Sequence, residues 1–459
     1  MAYDAIIIGA GMSGLAAGIR LAYFQKSVCI LERHTTIGGL NSFYRLRGRN
    51  YDVGLHAVTN YAPPGTRTGP LSKSLRQLRL HWEDFNLSPQ RSSRVVFPEC
   101  ALAFTNDIAV LTEQIRERFP AEIDNFRKLV ARVTEYPLNS LAASGVSARA
   151  AIAEYLRDPL LTELLLCPLL FYGSASPRDM DFTQFVIMFR GIFQEGFGRP
   201  IEGIRRVLKV LVRQFKELGG ELRLRAGVRS IVSSGNRADA VVLDDGQTLE
   251  ARHVVSSAGA FETLQLCGLA DEPPAGIRPG TITYAETIYS LDRQPEELGH
   301  SETIVFYNDS SRFRYEMPAE PLDLHSGIIC SPNNFEYGRP SGEGRIRITA
   351  LANPAYWLGL SDGEYEKQKV GWCQRLLDST LRFMPDFTKA IVDTDIFTPR
   401  TIKKFTGHHN GCVYGSADKI ASGRTHLENL YLCGNDQGLL GIVGTLMSGI
   451  SIANAYVLK

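Results

Sequence analysis

Several kinds of functional site have no motif in this sequence. The eight cysteines form no Cys-x-x-Cys pair, which argues against a zinc site and against a disulfide framework. No run of about 18 uninterrupted apolar residues is present, so we expect no membrane-spanning helix. Because the cysteines form no zinc motif, we also expect no metal centre. Lysines and arginines (50) nearly equal aspartates and glutamates (49), and the net charge of +1 gives no indication of a nucleic-acid partner.

No Ser-His-Asp order and no paired-carboxylate motif stands out, and internal repeats and low-complexity tracts are absent. The first apolar strand begins by residue 4, which leaves no room for a signal peptide before it. We therefore expect a cytoplasmic protein, with peripheral contact at the inner face of a membrane as the alternative. A chain of 459 residues is long enough for two domains with large cores.

The first informative pattern is a strand, a glycine-rich turn, a helix and a second strand within residues 4–32. Gly9, Gly11 and Gly14 form the motif Gly-x-Gly-x-x-Gly. In a dinucleotide-binding unit the first glycine permits the tight turn, the second lets the backbone approach a pyrophosphate, and the third lets the helix pack on the strand. The helix N-terminus, around Met12 and Ser13, offers free N–H groups to phosphates. The pattern therefore predicts a bound dinucleotide.

The residues after the second strand narrow the choice of dinucleotide. Glu32 ends that strand and is placed to accept hydrogen bonds from a ribose, whereas the neighbouring Arg33 keeps NADP as an alternative. Gly38 and Gly39 would let the backbone pass close to a bulky flat ligand, although such a doublet also occurs in ordinary turns. A plain dehydrogenase needs no such doublet, so this segment favours FAD.

The C-terminal segment supplies a second strand, loop and helix of the same kind. An apolar strand at residues 430–433 ends at Gly434, and a small-residue helix is predicted to start near Gly444. The N-terminus of such a helix can stabilise negative charge on a reduced flavin. The two ends of the chain therefore predict one cofactor domain built from separate pieces.

The predicted fold class is α/β, with a Rossmann-like FAD-binding domain containing a parallel sheet and a discontinuous α+β substrate-binding domain. We assign residues 1–75, 199–265 and 396–459 to the FAD-binding domain, and residues 76–198 and 266–395 to the substrate-binding domain. The first substrate-domain segment reads as largely helical, and the second as an antiparallel sheet with covering helices. The substrate is expected between this domain and the flavin, because ligands favour domain interfaces.

Four parts of the sequence resemble the FAD-dependent amine oxidase superfamily, and more closely its branch of phytoene desaturases, carotenoid isomerases and retinol saturases. They are residues 9–32, residues 38–56, residues 199–203 with 227–231, and residues 414–449. The resemblance implies noncovalent FAD, with the backbone of Val228 against the adenine and residues 434–443 along the flavin. The sequence Asn-Asp-Gln-Gly at 435–438 resembles the saturase and isomerase members more than the bacterial desaturases.

The predicted cofactor-binding residues come from all of these segments. They are Gly9, Gly11, Met12, Ser13, Gly14, Glu32, Arg33, Gly38, Gly39, Leu40, His56, Val228, Gly259, Gly434, Asn435, Asp436, Ile442 and Val443.

Two side chains are candidates for chemistry. His56 is predicted to be catalytic, with a structural hydrogen bond to the backbone or the flavin as an equal alternative. Asp436, in the loop that faces the flavin, is predicted to be catalytic or to bind the ribityl chain, and capping of the last helix is the alternative. The basic residues at 403–409 favour a solvated loop over a lysine beside the flavin.

Residues 159–172 are strongly apolar. A buried core helix is the favoured interpretation of this run. The alternative is a tunnel wall or a membrane-dipping face for a lipophilic substrate.

We expect an FAD-dependent oxidoreductase that acts on a lipophilic conjugated substrate, such as a carotenoid, an isoprenoid or another polyene, by hydride transfer at flavin N5. It would be a desaturase, a saturase or an isomerase. One alternative is an amine or protoporphyrinogen oxidase, although the C-terminal motif offers Tyr414 without an aromatic partner for an amine cage. Another is a non-catalytic isoprenoid carrier, against which the intact pyrophosphate glycines argue.

Overall fold

The computed structural model describes residues 2–54, 56–138, 143–269, 276–339 and 341–459. Leu55, which lies within the second of the four resembling stretches, is outside the described residues. The described strands are β1 (Tyr3–Ile8), β2 (Val28–Glu32), β3 (Phe43–Leu46), β4 (Arg49–Asp52), β5 (Leu87–Pro89), β6 (Ser93–Val96), β7 (Ala101–Phe104), β8 (Gly198–Pro200), β9 (Glu221–Leu224), β10 (Val228–Ser234), β11 (Arg237–Leu243), β12 (Thr248–Ser256), β13 (Tyr284–Leu291), β14 (Ile304–Asn308), β15 (Ser326–Cys330), β16 (Gly344–Leu351), β17 (Ile391–Phe397) and β18 (Leu430–Leu432).

The described α-helices alternate with these strands. They are α1 (Met12–Tyr23), α2 (Gly69–Gln77), α3 (Trp82–Phe85), α4 (Ile108–Arg118), α5 (Ile123–Glu135), α6 (Ala148–Ala153), α7 (Pro159–Gly173), α8 (Phe182–Phe189), α9 (Ile204–Glu217), α10 (Ala260–Leu266), α11 (Pro354–Gly359), α12 (Asp362–Thr380), α13 (Pro399–Thr406) and α14 (Gly441–Ile452). Shorter 3-10 or π segments lie at Gly39–Asn41, Arg190–Gln194, Pro295–Leu298, Pro332–Asn334, Thr388–Ala390, His409–Gly411, Asn435–Gln437 and Ala453–Val457.

The first sheet has a parallel centre, as the strand-turn-helix-strand pattern predicts. β1 pairs in parallel with β2 and β12, and β9 and β18 extend the sheet in parallel on either side. β10 and β11 are antiparallel and lead into β12 as a meander. All five residues of β2 are buried, which is typical of a strand covered on both faces.

Different layers cover the two faces of this sheet. Ala5 and Ile7 belong to an apolar cluster with residues of α1, α9 and α14. Ile6 and Ile8 belong instead to a cluster with residues of the β10–β12 meander, because successive strand residues point to opposite faces. The predicted Rossmann-like α/β fold is confirmed. Its strands come from three separate stretches of chain, while the exact domain boundaries stay a prediction.

The second sheet has the strand order β17-β13-β16-β15-β14-β6-β7. Its neighbouring strands are antiparallel except for β14 and β6, which are parallel. An apolar cluster joins Phe104 and Phe306 to residues of α4, α5, α6, α7 and α8 on one face. Trp357 of α11 and Trp372 of α12 belong to the cluster on the other face.

The expectation that residues 76–198 are largely helical is wrong for residues 87–104, which form β5, β6 and β7. β6 alternates buried and partly exposed residues, but it is only four residues long, which is too short for the period to stand out in the sequence. Its partner is remote, since Ser93 pairs with Ile304 of β14. The pairing of β6 with the remote strand β14 therefore determines that this segment is extended and not helical.

Helix α7 corresponds to the apolar run at 159–172. Asp158 caps its N-terminus by accepting hydrogen bonds from the N–H groups of Leu160 and Leu161. Leu165 and Leu169 are 1% and 0% exposed, so they belong to the core, as the favoured interpretation expects, and not to a membrane-dipping face. Phe171 and Tyr172, at the end of the run, line a cavity, as the alternative of a tunnel wall expects. Within the described ranges, no helix combines the length and the apolarity needed to cross a membrane.

Candidate active site

The three motif glycines lie at the carboxyl end of β1. Gly9 has φ +94°, a left-handed conformation that favours glycine, and a Cβ on Gly14 would lie 2.1 Å from the carbonyl oxygen of Gly9. Gly11 is the N-cap of α1, and a Cβ there would meet no described atom within 4 Å. The turn is therefore closed on the strand side and open in front of the helix N-terminus, where a pyrophosphate would fit.

Glu32 stands beside this turn in a fixed position. Its Oε2 accepts a hydrogen bond from the backbone N–H of Ala10 at 3.0 Å, and its Oε1 accepts one from the backbone N–H of His34 at 3.0 Å. The glycine doublet is close by, because Gly38 N–H donates to the Ala10 carbonyl at 2.9 Å. The three sequence signals for a dinucleotide thus meet at one end of the sheet.

A cavity of about 240 Å³ opens in front of α1. The predicted cofactor residues in its wall are Gly9, Gly11, Met12, Ser13, Glu32, Arg33, Gly38, Gly39, Leu40, Val228, Gly259, Gly434, Asn435 and Asp436. His56 and Ile442 lie instead in the wall of a larger cavity. Gly14 and Val443 lie in neither wall, since Gly14 packs against Gly9 and Val443 is fully buried in the core.

The larger cavity has a volume of about 840 Å³ and adjoins the smaller one, with Gly39, Leu40 and Asn435 among the residues that line both. Much of its far wall is aromatic or aliphatic, and includes Phe171, Tyr172, Tyr284, Ile328 and Tyr414. The open helix N-terminus, the fixed Glu32 carboxylate and the two adjoining cavities fit FAD, whose flavin ring would extend toward the larger cavity.

A buried polar network interrupts the apolar wall. His56 Nε2 lies 2.9 Å from Glu286 Oε2 and 3.1 Å from Thr349 Oγ1, and the Thr349 hydroxyl donates to Glu286 Oε2 at 2.9 Å. Arg347 Nε donates to Glu286 Oε1 at 2.8 Å. All four residues are less than 9% exposed. His56, Glu286 and Thr349 line the larger cavity.

The environment of this network shifts the pKa values of Glu286 and His56. Burial alone would raise the pKa of Glu286, but Arg347 and His56 outweigh it and lower that pKa to about 2. Burial lowers the pKa of His56 from its usual 6.5, and the attraction of Glu286 opposes this only in part. Glu286 is therefore an anion and His56 is neutral near pH 7.

A second buried ion pair holds the backbone of His56. Arg199 donates to Asp52 Oδ2 at 2.7 Å and to the carbonyl oxygen of His56 at 3.2 Å. The stretches at 38–56 and 199–203, separated in the sequence, thus meet behind the histidine.

Sequence reasoning found His56 but missed Glu286, Arg347 and Thr349. One signal was available, because Glu286 is the charged residue in a strand (Tyr-Ala-Glu-Thr-Ile-Tyr-Ser-Leu) that is otherwise neutral and buried throughout. A carboxylate in such a strand is rare unless it is paired.

Asp436 lies in the wall of the smaller cavity, but both of its carboxylate oxygens already accept hydrogen bonds from backbone N–H groups. Oδ2 accepts a hydrogen bond from Ala260 N–H at 2.6 Å, and Oδ1 accepts one from Ser416 N–H at 2.7 Å. Asp436 thereby caps α10, whereas α14 has Leu440 at its N-cap, so the suggested capping of the last helix is wrong. The geometry favours a structural role, and a catalytic role stays a prediction.

We expect Asp436→Asn to lower the free energy of unfolding by about 2 kcal/mol, because an amide leaves one buried N–H group without its acceptor. The flavin-dependent rate per folded molecule should change less than threefold. Urea denaturation and the rate per bound flavin test this together. A hundredfold lower rate with unchanged stability would establish Asp436 as catalytic.

The basic residues at 403–409 divide into two groups. Lys403 and Lys404 are exposed, as expected, but they lie on helix α13 and not in a loop. The expectation is wrong for His408, whose side chain is 15% exposed and lies 3.6 Å from Glu262 Oε1. Burial opposes protonation of His408, but Glu262 outweighs it and raises the pKa.

His408, Glu262 and Cys412 place three potential metal-binding atoms within 4.8 Å of one another. Glu262 already accepts a hydrogen bond from the backbone N–H of His409 at 2.7 Å and is attracted to His408. An ion pair therefore accounts for this cluster, and the expectation of no metal stays a prediction.

Comparisons with known proteins agree with a flavin site. The family model described as flavin containing amine oxidoreductase matches residues 12–456. The chain is 22% identical to a chloroplastic prolycopene isomerase of Arabidopsis thaliana, over 98% of this chain and 82% of that protein. It is 24% identical to the all-trans-retinol 13,14-reductase of Rattus norvegicus, over 99% of this chain and 85% of that protein.

The fold has a solved counterpart. The crystal structure of an oxidoreductase from Methanosarcina mazei matches with a TM-score of 0.69 at 16% identity, and the match covers 98% of this chain and 99% of that chain. Because the family model spans nearly the whole sequence and the dinucleotide cavity is intact, this protein belongs to the flavin-containing amine oxidoreductase family and is an FAD-dependent enzyme.

Proposed function

We propose that this enzyme acts on a neutral, lipophilic, conjugated substrate and desaturates, saturates or isomerises it. Two relatives that match over almost the whole chain are named as a prolycopene isomerase and an all-trans-retinol 13,14-reductase. Bound FAD would supply the hydride acceptor or donor. Peripheral contact with a membrane and a cytoplasmic location stay predictions.

The observation that carries the proposal is the larger cavity. Its volume of about 840 Å³ is within the usual range for small-molecule sites, and part of it would hold the flavin ring. Phe171, Tyr172 and Ile328 give the remaining space an apolar wall, which favours a hydrocarbon over a polar substrate.

The same wall argues against an amine as the substrate. Tyr284 and Tyr414 supply the aromatic pair that was not visible in the sequence, but their rings meet edge to face at 83° with centroids 6.2 Å apart, instead of forming two parallel walls. Glu286, which would otherwise attract an ammonium group, is already paired with Arg347. An ammonium group entering here would have to compete with Arg347, His56 and Thr349 for this carboxylate.

The test is anaerobic incubation of the FAD-loaded enzyme with prolycopene, all-trans-lycopene and all-trans-retinol. Bleaching of oxidised flavin with formation of a more unsaturated product would mean desaturation. With pre-reduced flavin, reoxidation and a product two hydrogens heavier would mean saturation, and an isomer of equal mass would mean isomerisation. The proposal fails if no polyene is converted while a primary amine or a porphyrinogen bleaches the flavin.

A matched pair of variants connects the activity to the cavity. Ile328 and Ile329 are adjacent in β15 and are both 3% exposed, but Ile328 lines the cavity and Ile329 faces the opposite side of the sheet. We expect Ile328→Thr to lower kcat/KM for the converted polyene about fivefold, because a hydroxyl replaces an ethyl group in the apolar wall. Ile329→Thr should leave kcat/KM within twofold and lower only the stability. Equal effects of the two changes would contradict a substrate site here.

A further inference from the structure

The residues around His56 define which of its ring nitrogens is available for chemistry. Glu286 receives Arg347 Nε on one oxygen and the Thr349 hydroxyl on the other, at 2.8 and 2.9 Å. A carboxylate that accepts these donors is ionised, and His56 Nε2 at 2.9 Å can approach it only as an N–H donor. Neutral His56 therefore carries its proton on Nε2.

The other nitrogen, Nδ1, is then a lone-pair acceptor. His56 lines the larger cavity, and Nδ1 has no hydrogen-bond partner among the described residues. The groups that face the histidine are Glu286, Arg347 and Arg199, with the Tyr172 ring centroid 6.4 Å from its own. Of these, Glu286 is the group that stabilises a positive charge on the ring.

We propose that His56 Nδ1 is the proton acceptor and donor of this enzyme, and that Glu286 and Thr349 are positioning residues that hold its tautomer and stabilise its charged form. The inference rests on the proposed function and deepens it. A carboxylate that orients a histidine and stabilises its imidazolium is an established arrangement for proton transfer.

The proposed step balances in both directions. In desaturation, one C–H bond of the substrate would give its proton to His56 Nδ1, the neighbouring C–H bond would lose a hydride for which bound FAD would be the acceptor, and the electron pair left behind would form the new C=C bond. In saturation, the imidazolium would return the proton to one carbon, and the hydride added to the other carbon would come from bound reduced FAD. Proton addition and removal at the polyene by the same nitrogen would suffice for isomerisation.

A first experiment needs no substrate. Nitrogen-15 NMR of histidine-labelled holoenzyme, with His56 assigned by its loss in His56→Gln, should show protonated Nε2 and unprotonated Nδ1 at pH 8. Protonation of Nδ1 at this pH would overturn the proposal, whether or not a substrate is known.

A second experiment uses the single-turnover rate of flavin bleaching or reoxidation with the polyene that the wild-type enzyme converts. His56→Gln should lower this rate at least 100-fold while FAD content is retained. For desaturation, the wild-type rate should rise with pH as His56 loses its proton, below the usual pKa of 6.5, and then level off.

Glu286→Gln separates a positioning role from a merely structural one. Without the carboxylate the imidazolium loses its counterion, so the rise in rate should move to lower pH and the plateau should fall about tenfold or more. Thr349→Val, which leaves the charges intact, should lower the plateau three- to tenfold and keeps the test available if Glu286→Gln does not fold. Glu163→Gln is the matched control, because it breaks another arginine pair at 2.8 Å that lies outside both cavity walls.

The outcomes separate the two proposals. Absence of any polyene conversion by the wild-type enzyme contradicts the proposed function. A normal rate in His56→Gln, or a pH profile that Glu286→Gln lowers without moving, contradicts the role of His56 and Glu286 alone.

Discussion

Gly14→Ala is expected to destabilise the protein by about 3 kcal/mol or more and to yield a preparation without bound FAD. The new Cβ would lie 2.1 Å from the carbonyl oxygen of Gly9, which is backbone and cannot rotate away. Helix α1 would have to move off β1, which disturbs the core between them and the position of the phosphate-binding turn. Urea denaturation and the ratio of flavin to protein absorbance measure the two effects.

Gly11→Ala is the matched variant, because a Cβ there meets no described atom within 4 Å and its φ of −74° suits alanine. Its stability without cofactor should be unchanged, while its Kd for FAD should rise at least tenfold, since the methyl group enters the open space before α1. Gly371→Ala, also in open space but remote from the motif on α12, should alter neither the Kd nor the flavin content. Normal flavin content and stability in Gly14→Ala would show that helix and strand need not be so close.

Arg347→Met is expected to lower the free energy of unfolding by about 3–5 kcal/mol at pH 7, because it leaves Glu286 buried without its main counterion. In the wild-type protein the pKa of Glu286 is lowered from 4.5 to about 2. Its contribution to stability is therefore present above about pH 4.5 and is lost as the pH falls toward 2. Without Arg347, burial dominates and should raise the pKa of Glu286 above 4.5. Protonation of Glu286 at lower pH then removes its buried charge and reduces the destabilisation of the variant.

The difference in stability between wild type and Arg347→Met should therefore shrink between pH 7 and pH 4, as measured by urea denaturation at both values. Arg149→Met removes the partner of Glu163, a pair with 29% and 10% exposed side chains, and should cost less at pH 7 because solvent screens it. An Arg347→Met protein as stable as wild type at pH 7 would mean that water reaches Glu286.

The dinucleotide-binding turn could be predicted from the sequence because its residues are close together in the chain. Gly9, Gly11 and Gly14 lie within a single turn, and the strand before them and the helix after them are each marked by composition. Physical constraints on that turn act between neighbouring residues, so the order of the residues already contains them.

The polar network around His56 could not be predicted from the sequence, because the register of paired strands brings its residues together. Glu286 and Thr349 are directly paired between β13 and β16, and they stand 230 and 293 residues from His56. Each strand by itself indicates a sheet, and its alternation does not say which neighbour it has. Similarly, β6 and β7 form because β6 pairs with the remote strand β14, a contact that the local sequence, which indicates helix, does not contain.

For Asp436, the sequence predicted the location, but only the structure shows the hydrogen bonds. Its place after the last parallel strand predicted that it would lie near the cofactor, and it does line the dinucleotide cavity. Its hydrogen bonds to Ala260 and Ser416 depend on two other segments, and these bonds favour a structural role over a catalytic one.

The sequence by itself determined the Rossmann-like fold, because it depends on a local turn whose geometry few residues other than glycine can adopt. It also determined FAD and the family, because the glycine doublet, the C-terminal segment and the other stretches that resemble the family are each local. Only the tertiary structure decided that His56 meets a carboxylate, a threonine and an arginine in the wall of an apolar cavity. That outcome follows from the pairing of remote strands, which is set by the packing of the whole sheet and not by any segment of it.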